Sequence, residues 1–131
     1  QAILPRWDGD LLPALEACAD GALGESMVRW KHEACVCVVM AAGGYPGNYA
    51  KGDAIDGLAD ADAMKDVVVF HAGTKLAGGK VVTAGGRVLG VTALGRDLRA
   101  AVDNAYAAVA KIRFAKAHFR RDIAARALRA E

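Results

Sequence analysis

The chain has 131 residues and a formal net charge of +2, with 17 lysines and arginines against 15 aspartates and glutamates. This length predicts one ordinary domain or a piece of a larger one, and the near-neutral charge argues against a general nucleic-acid binder. The hydrophobic content of 54%, in which alanine accounts for 29 residues, excludes a disordered chain, and the longest apolar run, residues 34–42, is too short to span a bilayer.

The first predicted element is a helix from Leu11 to Leu23, because apolar residues recur there at helical spacing. Asp10 lies where an N-cap belongs, and Gly21 and Gly24 indicate the end. Residues 34–40 are a short run of apolar residues, several of them β-branched, which predicts a strand that is apolar on both faces.

Further strands and two helices are predicted downstream. Residues 66–71 read as a strand, and residues 76–82 as a hairpin that turns at two glycines. A second turn leads into a strand over residues 88–94, and a helical stripe runs from Asp97 to Ile112. A basic helix is predicted over residues 121–129. This order predicts an α+β domain with a small, mostly antiparallel sheet and flanking helices.

The three cysteines are Cys18, Cys35 and Cys37. Cys35 and Cys37 lie two apart in a β-like run, so they share a face and are poorly placed to bond to each other. Zinc is disfavoured because the spacing is not Cys-x-x-Cys and only His32 is near. With no secretory signal pattern recognised, we expect reduced thiols in a cytoplasmic protein.

Charge is distributed unevenly along the chain. Residues 1–66 carry 5 basic and 11 acidic side chains, whereas residues 67–131 carry 12 basic and 4 acidic ones. The second half is therefore predicted to be able to hold an anion. The arginine-rich run at its end is interpreted mainly as a solvated helix face. Contact with a partner is the alternative, and nucleic-acid binding is disfavoured because aromatic residues are not interleaved there.

Three glycine-bearing turns carry hydrogen-bond donors. The first, residues 41–49, lacks the pattern of a P-loop or a dinucleotide site, and an irregular turn is the favoured interpretation. The second holds His71, Thr74 and Lys75, and the third places Arg87 after two glycines. Donors at turns can bind a phosphate or a sugar, and an arginine can grip a phosphate through two hydrogen bonds. The residues alone thus predict a small phosphate- or sugar-phosphate-binding module.

Several segments together resemble a known family. They are VVMAAGGYPG at residues 38–47, KGDAIDGL at 51–58, FHAGTKL at 70–76, VVTAGGRVLGVTALG at 81–95, and RDI and RAL at 121–123 and 126–128. Their order and spacing resemble the C-terminal part of the phosphoribosylamine–glycine ligase family. The lead segment, residues 1–11, is similar to the family's Gln-x-Ile-Leu-Pro-Arg-Leu-x-Ser-Asp-Leu, with Trp7 in place of Leu and Gly9 in place of Ser. Ala124 stands where the family often has Gly, a change of little consequence in the predicted helix.

The resemblance implies an ATP-dependent ligase reaction. ATP phosphorylates the glycine carboxylate, and the amine of phosphoribosylamine attacks the acyl phosphate, which gives glycinamide ribonucleotide, ADP and phosphate. Mg²⁺ or Mn²⁺ bridges the nucleotide phosphates, and the family's metal ligands and ATP-binding lysines lie upstream of Gln1. Residues 1–25 are then the final segment and helix of an ATP-grasp domain, and residues 26–131 a C-terminal substrate-side domain. The alternative is a non-catalytic docking module like the last domain of other ATP-grasp enzymes.

The resemblance also suggests roles for individual residues, none of them catalytic. The 5′-phosphate of phosphoribosylamine is expected at Lys75 and Arg87, with backbone donors at Gly73, Thr74, Gly85 and Gly86. The ribose is expected near Gly43, Gly44, Tyr45 and Pro46. Arg6 and Asp10 are expected to face the glycine or acyl-phosphate end at the domain junction. His71 is either a ligand-orienting or a structural group. The expected partners are phosphoribosylamine, glycine, ATP and the upstream region, with neither nucleic acid nor membrane.

Overall fold

A computed structural model describes residues 1–129. Its strands are β1 (Ala34–Ala41), β2 (Val67–His71), β3 (Thr74–Ala77), β4 (Lys80–Thr83) and β5 (Arg87–Gly95), and its helices are α1 (Leu12–Ala19), α2 (Leu58–Asp62) and α3 (Leu98–Val109). Short 3-10 turns lie at Leu4–Arg6, Glu25–Met27 and Ala127–Arg129. The predicted α+β class is confirmed, whereas the short helix α2 was not predicted.

The main sheet has three antiparallel strands in the order β1-β5-β2. Val91 of the central strand β5 faces Val38 on one side and Val69 on the other, and all three are buried. In a strand with neighbours on both sides, the backbone N–H and C=O groups are hydrogen-bonded within the sheet. The residues of such a strand can therefore be apolar throughout. β3 and β4 form a separate hairpin that turns at two glycines of positive φ, as predicted.

Helix α3 covers one face of the sheet. It begins at Asp97, whose carboxylate accepts a hydrogen bond from Ala100 N at 2.7 Å, and this bond lowers the pKa of Asp97 below its usual value. Ala101, Ala105 and Ala108 are fully buried against the sheet. The predicted helix was too long, because α3 ends at Val109 and Ile112 is buried beyond it.

Helix α1 is shorter than predicted and lies apart from the core. Its N-cap is Leu11, while the Asp10 carboxylate accepts from Leu12 N at 3.0 Å. It ends before Gly21, whose φ is +67°. Ala14 is buried, but Leu12 and Leu15 are more than half exposed. Most of the apolar surface of α1 is therefore uncovered by the described residues. None of the helices within residues 1–129 has the length and apolarity to cross a bilayer.

The predicted basic helix over residues 121–129 is wrong. The segment consists of turns and the short 3-10 turn, and Ala124 adopts φ +63°. The half-buried apolar residues that anchor this part to the core do not follow helical spacing; they are Phe114, Ala117, Phe119, Ile123 and Leu128. Tyr106 fastens the segment, since its hydroxyl donates to Arg120 O at 2.7 Å and accepts from Ile123 N at 3.2 Å.

Replacing Ala124 with glycine is expected to stabilise the fold by about 1 kcal/mol, because a Cβ in the left-handed region costs that much. The expectation of little consequence rested on a helix at this position, and that helix is wrong because Ala124 lies in a turn. Urea unfolding measures the change. The control is Ala125→Gly at a neighbouring position without positive φ, where the same substitution is expected to be neutral or destabilising. Equal effects of the two substitutions would contradict the conformational explanation.

Candidate functional site

Two glycine turns are locked together at the start of β5. Gly73 N donates to Arg87 O at 2.8 Å, and Gly73 O accepts from Ala84 N at 2.7 Å and Gly85 N at 3.1 Å. A Cβ on Gly73 would lie 2.5 Å from Arg87 O and 2.7 Å from Gly85 Cα. The N–H groups of Gly73 and Gly85 are thus used inside the fold. They hold the turns in place instead of serving as the ligand donors that we expected.

A cleft of about 630 Å³ lies beside these turns. It is lined by Gln1, Val39, Tyr45, Ala72, Gly86, Arg87 and Leu89. Of the expected site residues, the structure therefore brings Tyr45, Gly86 and Arg87 together. The Tyr45 ring lies against Gly86, where any Cβ would overlap it. The Gly86 N–H has no backbone acceptor among residues 1–129, and Gly86 is buried beneath the Tyr45 ring.

The Arg87 guanidinium is available to an anion. Arg87 is exposed, and the two ion pairs within the described residues are Arg96–Asp97 and Arg120–Asp122. Its charge is therefore not neutralised by a carboxylate of residues 1–129. An exposed guanidinium without a carboxylate partner is suited to a phosphate.

The first glycine turn mainly serves close packing. A Cβ on Gly43 would overlap the Lys116 side chain, and Gly44, at φ +95°, approaches Asn48 O. Ala42 N donates to Gly86 O at 2.8 Å and so joins this turn to the cleft. Pro46 is exposed next to Tyr45. The segment is an irregular turn, as expected, and contributes one aromatic side chain, Tyr45, to the cleft.

Other expected residues lie outside the cleft lining. The His71 Nδ1 and Thr74 Oγ1 atoms are 2.9 Å apart, so these side chains bind each other at the start of the hairpin. Lys75 is exposed on β3.

Arg6 lines a different cavity, of about 440 Å³, together with Ala2, Ile3, Trp30 and Cys35. Arg6 Nη2 donates to Lys31 O at 3.2 Å, whereas Arg6 Nε is buried without a partner among residues 1–129. The Asp10 carboxylate faces the backbone of α1. The structure therefore does not bring Arg6 and Asp10 to the Arg87 cleft.

Four of the seven lining residues were not predicted from the sequence: Gln1, Val39, Ala72 and Leu89. For Gln1, the one indication in the sequence was its position in the lead segment that resembles the family. No local pattern around Gln1 predicts a contact with residues more than 80 positions downstream.

Cys35 and Cys37 lie on one face of β1, as predicted, and both are half-buried free thiols. Cys18 is also a free thiol but is exposed. No group of three His, Cys, Asp or Glu side chains within residues 1–129 is placed to hold a metal ion. Burial raises the pKa of the Cys35 thiol, and the neighbouring Cys37 adds to the effect.

Iodoacetamide at pH 8 is expected to alkylate Cys18 faster than Cys35. Cys18 is exposed, and the raised pKa of Cys35 leaves less of the reactive thiolate at that pH. Mass spectrometry of a time course measures both rates. Raising the pH is expected to speed Cys35 until its own pKa is passed. Alkylation of Cys35 ahead of Cys18 would contradict the half-buried placement of Cys35.

The fold and cleft define a small antiparallel α+β domain with an arginine-bearing cleft between glycine turns. The chain belongs to the family described as phosphoribosylglycinamide synthetase, C domain, whose model matches residues 35–126. The resemblance found in the sequence is thereby confirmed.

Similar proteins carry the ligase name. The chain is 54% identical over 129 residues to the phosphoribosylamine–glycine ligase of Synechocystis sp. and 55% identical over 130 residues to that of Phenylobacterium zucineum; each match covers 98% of this chain and 30% of the relative. A crystal structure of phosphoribosylamine–glycine ligase from Thermotoga maritima is similar with a TM-score of 0.72 and 31% identity. That match covers 86% of this chain and 27% of the other. The chain thus spans about 30% of the length of the curated relatives it matches.

Proposed function

We propose that this chain is the C-terminal part of a phosphoribosylamine–glycine ligase of de novo purine biosynthesis. The observation that carries the proposal is the identity of more than half over nearly the whole chain to relatives of that name. The enzyme joins glycine to 5-phosphoribosylamine through glycyl phosphate, at the expense of ATP. The three free cysteines agree with a cytoplasmic location.

The chain's own part in the reaction is to bind the sugar phosphate. Arg87 receives the 5′-phosphate with the Gly86 N–H beside it, because both residues line one cleft, Arg87 has no carboxylate partner and the Gly86 N–H has no acceptor among residues 1–129. Lys75 adds a second cation from the hairpin. Tyr45, carried on the turn that includes Gly43, Gly44 and Pro46, packs against the ribose. His71 and Thr74 brace the base of the hairpin through their mutual hydrogen bond.

ATP and its metal are assigned to the upstream region. The family resemblance puts the metal ligands and the ATP-binding lysines upstream of Gln1, and the chain spans about 30% of the length of its relatives. When bound upstream, the metal offsets charge at the transferred phosphoryl group. The residues of this chain hold the phosphoribosylamine so that its amine faces the activated glycine. Arg6 and Asp10, on the lead segment, are assigned to the glycine or acyl-phosphate end at the domain junction.

Residues 1–25 are proposed to belong to the upstream ATP-grasp domain. Of ten exposed large hydrophobic side chains among residues 1–129, five lie within residues 1–25. An apolar surface of this kind is typical of one that another domain covers. The surface therefore supports a domain junction at the lead segment and α1, with Arg6 beside it.

The test is to assay the full-length protein that carries this chain for glycinamide ribonucleotide formation from phosphoribosylamine, glycine and MgATP. We expect ADP release that requires both glycine and phosphoribosylamine, and a product whose mass equals the ribonucleotide. Reactions that omit one substrate at a time are the controls. ADP release with another amine or acid, and none with these, would overturn the proposal in favour of a docking module in a different enzyme.

A further inference from the structure

Gln1 lies over the central strand at the edge of the Arg87 cleft. A Cβ on Gly90 would lie 2.8 Å from Gln1 Nε2 and 2.9 Å from its Cδ and Oε1. Gly90 is not one of the glycines of positive φ, so its backbone conformation does not require glycine. The missing side chain at position 90 instead makes room for the Gln1 amide.

The orientation of the Gln1 amide follows from its neighbour on β1. The Cys37 Sγ lies 3.7 Å from Gln1 Oε1, so the thiol donates and the amide oxygen accepts. The Nε2 group then retains two N–H donors that bind no acceptor among residues 1–129. Since Gln1 lines the cleft with Tyr45 and Arg87, these donors are available to a ligand there.

We propose that Gln1 is a specificity-determining residue, whose amide donates a hydrogen bond to a ribose hydroxyl oxygen of the sugar phosphate. This inference rests on the proposed function. The guanidinium of Arg87 supplies the charge for the phosphate, whereas a neutral amide provides a directional bond to a neutral oxygen. Gln1 would thereby select for the hydroxyl-bearing sugar, because loss of a partner leaves a polar group unsatisfied in the occupied cleft.

The test uses Gln1→Met in the full-length enzyme, a substitution that keeps the length of the side chain and removes both donors. Calorimetry measures the Kd of glycinamide ribonucleotide and of its 2′-deoxy and 3′-deoxy forms. We expect the variant to bind the ribonucleotide about 3–10-fold more weakly, the effect of one neutral hydrogen bond. One deoxy form should bind equally to the variant and the wild type, because its missing hydroxyl cannot use the amide.

Val68→Met is the matched control, since Val68 lies on the same sheet face and is 42% exposed without lining the cleft. It should leave every Kd unchanged, and melting temperatures should agree among the three proteins. An unchanged Kd for Gln1→Met would overturn the inference, and so would a loss that is equal for all three ligands. If Arg87→Ala weakens binding while Gln1→Met does not, the proposed function stands and only the role of Gln1 fails.

Discussion

Replacing Gly73 with alanine is expected to lower the free energy of unfolding by about 2–3 kcal/mol. The added Cβ would meet Arg87 O at 2.5 Å and Gly85 Cα at 2.7 Å, and both are backbone atoms that cannot move aside alone. The substitution must therefore separate the turn after β2 from the turn before β5. Because Arg87 begins β5, the same separation displaces its guanidinium from the cleft. Urea unfolding measures the stability, and ligand calorimetry measures the binding.

Gly24→Ala is the matched control for that substitution. Gly24 has an extended backbone with φ −102°, and its Cβ would meet nothing closer than Ser26 Oγ at 3.9 Å. Alanine at this position is expected to change the unfolding free energy by less than about 1 kcal/mol. If Gly73→Ala and Gly24→Ala had the same small effect, the two turns would not be packed as closely as the structure shows.

Arg87→Ala in the full-length enzyme is expected to raise the KM for phosphoribosylamine about 10–100-fold. Hydrogen bonds to a charged group contribute about 1.5–3 kcal/mol, and each 1.4 kcal/mol is a factor of ten. Since the phosphate is far from the reacting amine and is held equally before and during the reaction, kcat should change little. Steady-state kinetics with each substrate varied in turn measures the effect.

Arg96→Ala provides the control for Arg87→Ala. Arg96 directly follows β5, is 90% exposed, and pairs with Asp97 at the surface. Its removal is expected to leave the KM for phosphoribosylamine unchanged, because surface ion pairs contribute little. A KM effect at glycine or ATP, but not at phosphoribosylamine, would show that Arg87 does not receive the sugar phosphate.

Much of the fold was predictable because the apolar pattern along the strands matches their burial. β1, β5 and the glycine hairpin follow local rules, and Asp97 starts α3 as an N-cap should. The C-terminal segment was not predictable in this way. Its conformation is set by long-range contacts, such as those of the Tyr106 hydroxyl, and alanine at position 124 gives no local sign of a positive φ.

The candidate site was predictable only as a set of turns. The sequence indicates that Arg87 follows two glycines, but it does not show which of the N–H groups form hydrogen bonds within the fold. The N–H groups of Gly73 and Gly85 form hydrogen bonds between the two turns, whereas the Gly86 N–H has no backbone acceptor among residues 1–129. Nothing in the sequence distinguishes these three glycines. The contact between Gln1 and Gly90 joins residues that are far apart in the sequence, so no local pattern predicts it.

The most direct test of sugar-phosphate binding at Arg87 is calorimetry of the full-length protein and its Arg87→Ala variant with two ligands. One ligand is glycinamide ribonucleotide, and the other is the same molecule without its 5′-phosphate. The wild type is predicted to bind the phosphorylated ligand about 10–100-fold more tightly, and the variant to lose most of that difference. If the Arg87→Ala variant kept the full preference for the phosphorylated ligand, the phosphate would bind elsewhere, and the role assigned to this cleft would be contradicted.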